Sequence, residues 1–228
     1  MKNIFYIIGV TYLITSCSGL PIQTKAEAYP AMYDDRKPLS VLVIPAINKS
    51  TAAEATDFFN VTITEPLSNV GYYTMPVEIV KDIFLKEGIV DSTMIKGLPT
   101  SIFKKNFGAD AVLFVTINKW DKQYIVLAGN VSVSMDYVML STETSEIIWS
   151  YSATQTIDTT AESSGFIMLD ILSTAITTAT TDYVPIAKQV NYQAFTALPH
   201  GGYSDLHGLD QEQSISTIMK DAALEEDL

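Results

Sequence analysis

The chain has 228 residues and a formal net charge of −12, with 26 Asp and Glu against 14 Lys and Arg. That balance excludes a nucleic-acid surface, which needs clustered cations to neutralise phosphates, and it disfavours peripheral binding to anionic headgroups. A single cysteine allows no internal disulfide, so stability rests on burying the 47% of residues that are hydrophobic, enough for one ordinary core.

Residues 1–16 have the layout of a secretory signal: Lys2, an apolar run from Ile4 to Ile14, then small residues. The run is too short for a stable membrane span, which takes ~20 apolar residues. Ile14-Thr15-Ser16-Cys17 is similar to the bacterial lipobox. This likeness implies cleavage between Ser16 and Cys17, a diacylglyceryl thioether on the Cys17 sulfur and acylation of the new amine. Palmitate-type chains would then tether the protein. Ser18, where aspartate is absent, implies sorting to the outer membrane, facing the periplasm or the exterior. No cofactor is expected besides this covalent lipid.

Residues 17–38 carry Pro21, Pro30 and Pro38 without sustained periodicity and read as a lipidated tether. Tyr29, Met32 and Tyr33 make part of it apolar enough to pack along the fold. One domain then spans 39–205. Residues 39–46, LSVLVIPA, form the β-branched run expected of a strand covered on both faces. Asn48 to Thr51 offer caps for a helix from about Ala52, with Phe58, Phe59 and Ile63 toward the core and an interruption at Pro66. Residues 71–76 predict a strand. Residues 77–88 predict a helix with Val77, Val80, Phe84 and Leu85 on one stripe and Gly88 as its stop. A short helix follows at 98–108, capped by Thr100 or Ser101 and ended by Gly108.

Residues 111–117, AVLFVTI, predict a central strand, and 120–127 a separate one. Val131, Val133, Met135, Tyr137 and Met139, then Ile147, Trp149, Tyr151 and Ala153, alternate with hydroxylated or acidic residues, so each strand has one buried and one wet face. The resulting fold class is α/β: a mixed sheet with a βαβ start and an antiparallel meander, helices on one face.

Residues 166–179, FIMLDILSTAITTA, have helical spacing. They suit a helix packed on the sheet, or one that meets another subunit or the bilayer. A helix over 185–198 would be anchored by Ile186, Val190, Tyr192 and Phe195. Residues 206–228 read as an acidic tail, flexible or weakly helical.

The sequence has no Walker loop, H-E-x-x-H, G-x-S-x-G or dinucleotide fingerprint. His200 and His207, with Asp205 and Asp210, are the one imaginable zinc cluster, but their spacing matches no structural zinc site. The expectation is a non-enzyme with no metal, no catalytic residue and no small-molecule substrate identified.

Five stretches carry a family resemblance: KPLSVLVIPAINKS (37–50), PLSNVGYYTMPVEIV (66–80), FGADAVLFVTINKW (107–120), IIWS (147–150) and PHGGY (199–203). In this order they resemble a family of bacterial lipoproteins of unknown function that includes a surface vaccine antigen. The resemblance implies a fold similar to the N-terminal domain of TolB, shared with the curli-secretion lipoprotein CsgG and with lipoprotein activators of peptidoglycan synthases. It also implies self-association and action beside a CsgG-like lipoprotein, and it transfers no catalytic residue. STETSE (141–146) and SDLHGLDQ (204–211) depart from the family pattern.

Two functions fit. One is a lipid-anchored component of an envelope complex, homo-oligomeric or bound to a CsgG-like lipoprotein, in export or surface assembly. The other is a periplasmic regulatory module acting on peptidoglycan synthases.

Overall fold

A computed structural model describes residues 23–34, 37–125, 128–158 and 183–215. The signal and lipobox, the 166–179 segment and the end of the acidic tail lie outside them. Among the described residues one mixed sheet contains β1 (Ser40–Val43), β2 (Ile47–Asn48), β3 (Tyr73–Thr74), β4 (Ala111–Ile125), β5 (Ala128–Ser141) and β6 (Ile147–Asp158). The strand order is β3-β1-β4-β5-β6, with β2 beside β4. β1 runs parallel to β3 and β4, whereas β4, β5 and β6 form an antiparallel meander. The helices are α1 (Lys25–Ala28), α2 (Ala55–Thr62), α3 (Thr64–Asn69), α4 (Val77–Lys86), α5 (Ser92–Lys96), α6 (Ser101–Phe107) and α7 (Val184–Thr196).

The mixed α/β class holds, but helices cover both faces rather than one. Val41, Val43, Leu113 and Val115 meet Phe59 and Ile63 around α2, Leu67 of α3, and Ile186, Val190 and Phe195 of α7. The alternate residues Leu42, Ile44, Val112 and Phe114 meet Val80 and Phe84 of α4, Ile95 of α5 and Phe103 of α6. Topology requires this. The chain steps from β1 to β3 in one direction and returns past β1 to β4 in the other, and two crossovers of the same hand moving in opposite directions lie on opposite faces. The continuous apolar run of β1 is the sequence mark of such double coverage.

The two strands expected at 111–117 and 120–127 are one. Pairing with β5 shifts register between Ile117 and Lys119. The extra residue at this bulge lets both Ile117 and Trp120 face the core although they are three positions apart. The helix after Ala52 divides at Ile63, as Pro66 lacks the N–H that would bond the Thr62 carbonyl. Leu85, expected on the buried stripe, is 45% exposed. Tyr192 likewise turns outward to donate to Glu65 Oε1 at 2.9 Å. Thr100 stands at the N-cap of α6, as expected, but makes no side-chain capping bond; its hydroxyl bonds the Thr142 carbonyl and pairs with Ser145 Oγ, pinning the 141–146 turn.

One polar network crosses the apolar core. Tyr137 of β5 donates to Asn191 Oδ1 at 3.0 Å, and Asn191 Nδ2 donates to Thr62 Oγ1 at 3.0 Å. The network fixes α7 and α2 against the sheet, because each buried polar group would lose a partner if either helix slid.

Candidate functional site

Thr24-Lys-Ala-Glu27 is a capping box. Glu27 N donates to Thr24 Oγ1 at 3.3 Å and Thr24 N to Glu27 Oε2 at 3.0 Å, which starts the single turn α1. A 3-10 turn, Pro30–Met32, follows, with Met32 buried in the main core. The arm is therefore docked on the domain over 24–33 and is not a free tether there. Its edge pairs with the C-terminal segment: Thr24 bridges Ser214, Lys25 N donates to the Gln213 carbonyl at 2.9 Å, and Ala26 N donates to that of Gln211 at 3.1 Å.

At the centre of this contact is a buried ion pair. Lys25 is 1% exposed and Asp210 2%. The Lys25 ammonium donates to Asp210 Oδ2 and to the carbonyls of Thr196 and Leu198, each at 3.2 Å, so all three of its protons are used. Asp210 also accepts from Tyr33 OH at 3.1 Å and from His200 N at 3.0 Å. Burial pulls the Lys25 ammonium below its ordinary pKa, and the attraction of Asp210 opposes that shift. Burial and the adjacent Asp210 charge push the Tyr33 phenol up, so it stays a neutral donor.

Four of the five stretches that carry the family resemblance make hydrogen bonds to one another. Gly201 N donates to the Val70 carbonyl at 2.8 Å and Tyr203 N to that of Gly71 at 3.1 Å. The two backbones touch so closely that a Cβ on Gly201 would lie 2.3 Å from the Gly71 oxygen. Tyr72 OH donates to the Pro199 carbonyl at 2.8 Å. On the neighbouring strand pair, Asp110 Oδ2 accepts from Leu39 N, Ser40 N and Ser40 Oγ at 3.1, 3.0 and 2.8 Å, and Oδ1 pairs with Lys104. Partial burial acts to raise the Asp110 carboxyl, but the bonds from Lys104, Ser40 and Leu39 outweigh it and hold the carboxyl below the usual aspartate range. These four motifs are thus docking points of the fold.

His207 Nδ1 contacts the His200 carbonyl at 2.6 Å, and the His207 ring stacks on Tyr33 with centroids 6.0 Å apart. Asp210 is committed to Lys25, Tyr33 and the His200 amide. Among the described residues, no group of three or more His, Cys, Asp or Glu is arranged to hold a metal. The segment 206–215, expected within a flexible tail, is packed here as the partner of the arm. Ser16 and Cys17 lie outside the described residues, six positions before Gln23 in the case of Cys17.

A second feature is a cleft of about 320 Å³ beyond the carboxyl end of β1, between α2 and α4. Open α/β sheets bind ligands where crossovers depart to opposite faces, and Asn60 contributes a buried Nδ2 without a hydrogen-bond partner. Its charged groups, however, are engaged: Lys81 lies 3.7 Å from Asp57 and 3.6 Å from Glu78, and Asp91 caps α5 through Thr93 N at 2.7 Å. Asn48, Thr56, Ser92 and Thr93 line it beside Phe84, Leu85 and Ile95, and this mixed lining does not define a substrate.

The fold and the clamp define an α/β domain with its N-terminal arm locked to its C-terminal segment. A family profile described as "Putative lipoprotein GNA1162-like" matches residues 28–203, and the chain belongs to this lipoprotein family. It is similar to the Neisseria meningitidis serogroup B protein named "Putative lipoprotein NMB1124/NMB1162", 23% identical over 205 residues covering 89% of this chain and 94% of that one. The crystal structure of lipoprotein GNA1162 from Neisseria meningitidis superposes with a TM-score of 0.52 and 27% identity, covering 61% of this chain and 95% of the other. Among the described residues, no helix is long and apolar enough to cross a membrane.

Proposed function

We propose that this protein is a lipid-anchored, non-catalytic component of an outer-membrane complex, acting with a CsgG-like lipoprotein in export or surface assembly. Acylation of Cys17 supplies the anchor, and self-association or the partner lipoprotein completes the complex. The observation that carries the reading is the clamp. A flexible tether has no need of a buried ion pair, whereas a component held at a fixed position on a membrane does, because the Lys25–Asp210 pair ties the arm to the core within a few residues of the anchor.

The same docking weighs against the regulator of peptidoglycan synthases. With 24–33 held on the domain, the six positions from Cys17 to Gln23 give a reach of ~20 Å at ~3.3 Å per residue. That suits partners at the membrane surface better than partners deep in the periplasm. Crosslinking in the native host, detergent extraction and native mass spectrometry test the proposal. Recovery with a CsgG-like lipoprotein, or as a homo-oligomer, supports it; monomer alone after efficient crosslinking contradicts it.

A further inference from the structure

Tyr203, Leu206 and Leu209 are 67, 51 and 75% exposed on one turn. The turn is not loose. Ser204 N bonds the Gly201 carbonyl, His207 N that of Ser204 and Leu209 N that of Leu206, each at 3.0 Å. Its His207 ring stacks on Tyr33 of the arm, as noted above. A fixed turn that presents one aromatic and two branched aliphatic side chains to water within seven positions is organised to meet another apolar phase, unlike singly scattered surface leucines.

The course of the arm identifies that phase. Ala26 N donates to the Gln211 carbonyl at 3.1 Å and Ile215 N to the Gln23 carbonyl at 3.0 Å, so the chain leading back to Cys17 leaves the domain beside Ile215, on the segment that continues from this turn and six positions beyond its end. We infer that the turn 203–209 seats in the interface of a zwitterionic phospholipid membrane, with both leucines at the acyl boundary and Tyr203 at headgroup level. The inference rests on the proposed lipid at Cys17, whose six-position link holds this end of the domain within ~20 Å of the bilayer. Tyrosine and leucine suit those depths, the ring being apolar with one polar tip. Charge selects the lipid: residues 199–215 contain no Lys or Arg, and Asp205 and Glu212 are exposed, so an anionic surface would repel the turn.

The test uses the full-length lipoprotein carrying Leu209→Cys. Cys17 is the one native cysteine, so after its acylation the introduced thiol is free for an environment-sensitive fluorophore. Val90→Cys, at a site 76% exposed beside the cleft at the carboxyl end of β1, is the control. On reconstitution into phosphatidylcholine–phosphatidylethanolamine vesicles, the label at 209 should brighten about two-fold or more, shift blue and be quenched by spin-labelled lipid, while the label at 90 stays unchanged. Acylated protein that floats with the vesicles while the two labels behave alike would overturn this inference and leave the anchor standing. A concentration-dependent change at 209 in detergent without vesicles would assign the turn to a second copy and also overturn it. Protein that neither floats nor carries acyl mass would overturn both the anchor and the inference.

Discussion

Lys25 and Asp210 stand 185 positions apart in the chain and meet at 3.2 Å, with each side chain 2% exposed. Taking two charges out of water is unfavourable, and their attraction offsets that only while both are present and fully hydrogen-bonded. The pair therefore acts as a latch. Lys25→Met should destabilise the domain by about 3–5 kcal/mol, and Asp210→Leu by a similar amount. The double variant should recover much of the loss, because no orphan charge remains. Urea denaturation of the four proteins checks this; strictly additive losses would show that the two groups do not act as a pair.

Gly201→Ala places a methyl 2.3 Å from the Gly71 oxygen and 2.9 Å from the Tyr72 ring. The oxygen belongs to backbone and cannot rotate away, so overpacking should reduce stability by about 1–3 kcal/mol. Protease sensitivity should rise first at the arm and at 199–215, which this contact supports. Limited proteolysis with mass mapping reads that directly.

Asp110 sets an acid limit. Its folded-state pKa is depressed below the ordinary value of 3.8, so its contribution is complete above that value and disappears as pH falls through the folded pKa. Asp110→Asn should lower stability by about 1–3 kcal/mol at neutral pH, where it loses charge-assisted bonds to Leu39, Ser40 and Lys104. The gap between the two proteins should stay constant down to about pH 5 and narrow below about pH 4. Thermal melts across that range check the sign; a gap that widens on acidification would exclude a depressed pKa.

Trp149 is fully buried, stacked on Tyr151 at an interplanar angle of 4° and in ring contact with Tyr137 and Phe195. Trp149→Ala should destabilise by about 3–5 kcal/mol. Trp149→Phe should cost much less, since it retains ring packing and removes a buried Nε1 that has no hydrogen-bond partner. Chemical denaturation of both variants separates ring volume from the N–H group.

The strands of the antiparallel half were legible because one buried face and one wet face leave a period of two, from Val131 to Met139 and again at Trp149 and Tyr151, whereas Ile147, expected on the buried face, is 63% exposed because the pairing with β5 shifts register there and turns Ile148 inward. Bulges blurred that signal: one residue near Asn118 changes phase and makes a continuous β4 read as two strands. Double coverage of the sheet was written in the apolar run at β1, but the crossover directions that enforce it arise from strand order, which has no local signature. The clamp was the least visible feature. Lys25 sits in a proline-punctuated arm and Asp210 among several acids, and no periodicity links a lone cation to one carboxylate 185 positions away. One local clue existed, the capping box Thr24-x-x-Glu27, which marks ordered structure where composition suggests linker.

We propose that a lipid on Cys17 holds this clamped domain at the cell envelope. Intact-mass analysis of protein purified from its native host tests it most directly. The expected result is a chain that begins at Cys17 and carries a diacylglyceryl thioether and an N-acyl chain, with membrane association that is lost in Cys17→Ser while the fold is kept. A free, unmodified thiol at Cys17, or a mature chain that begins beyond it, would rule this anchor out.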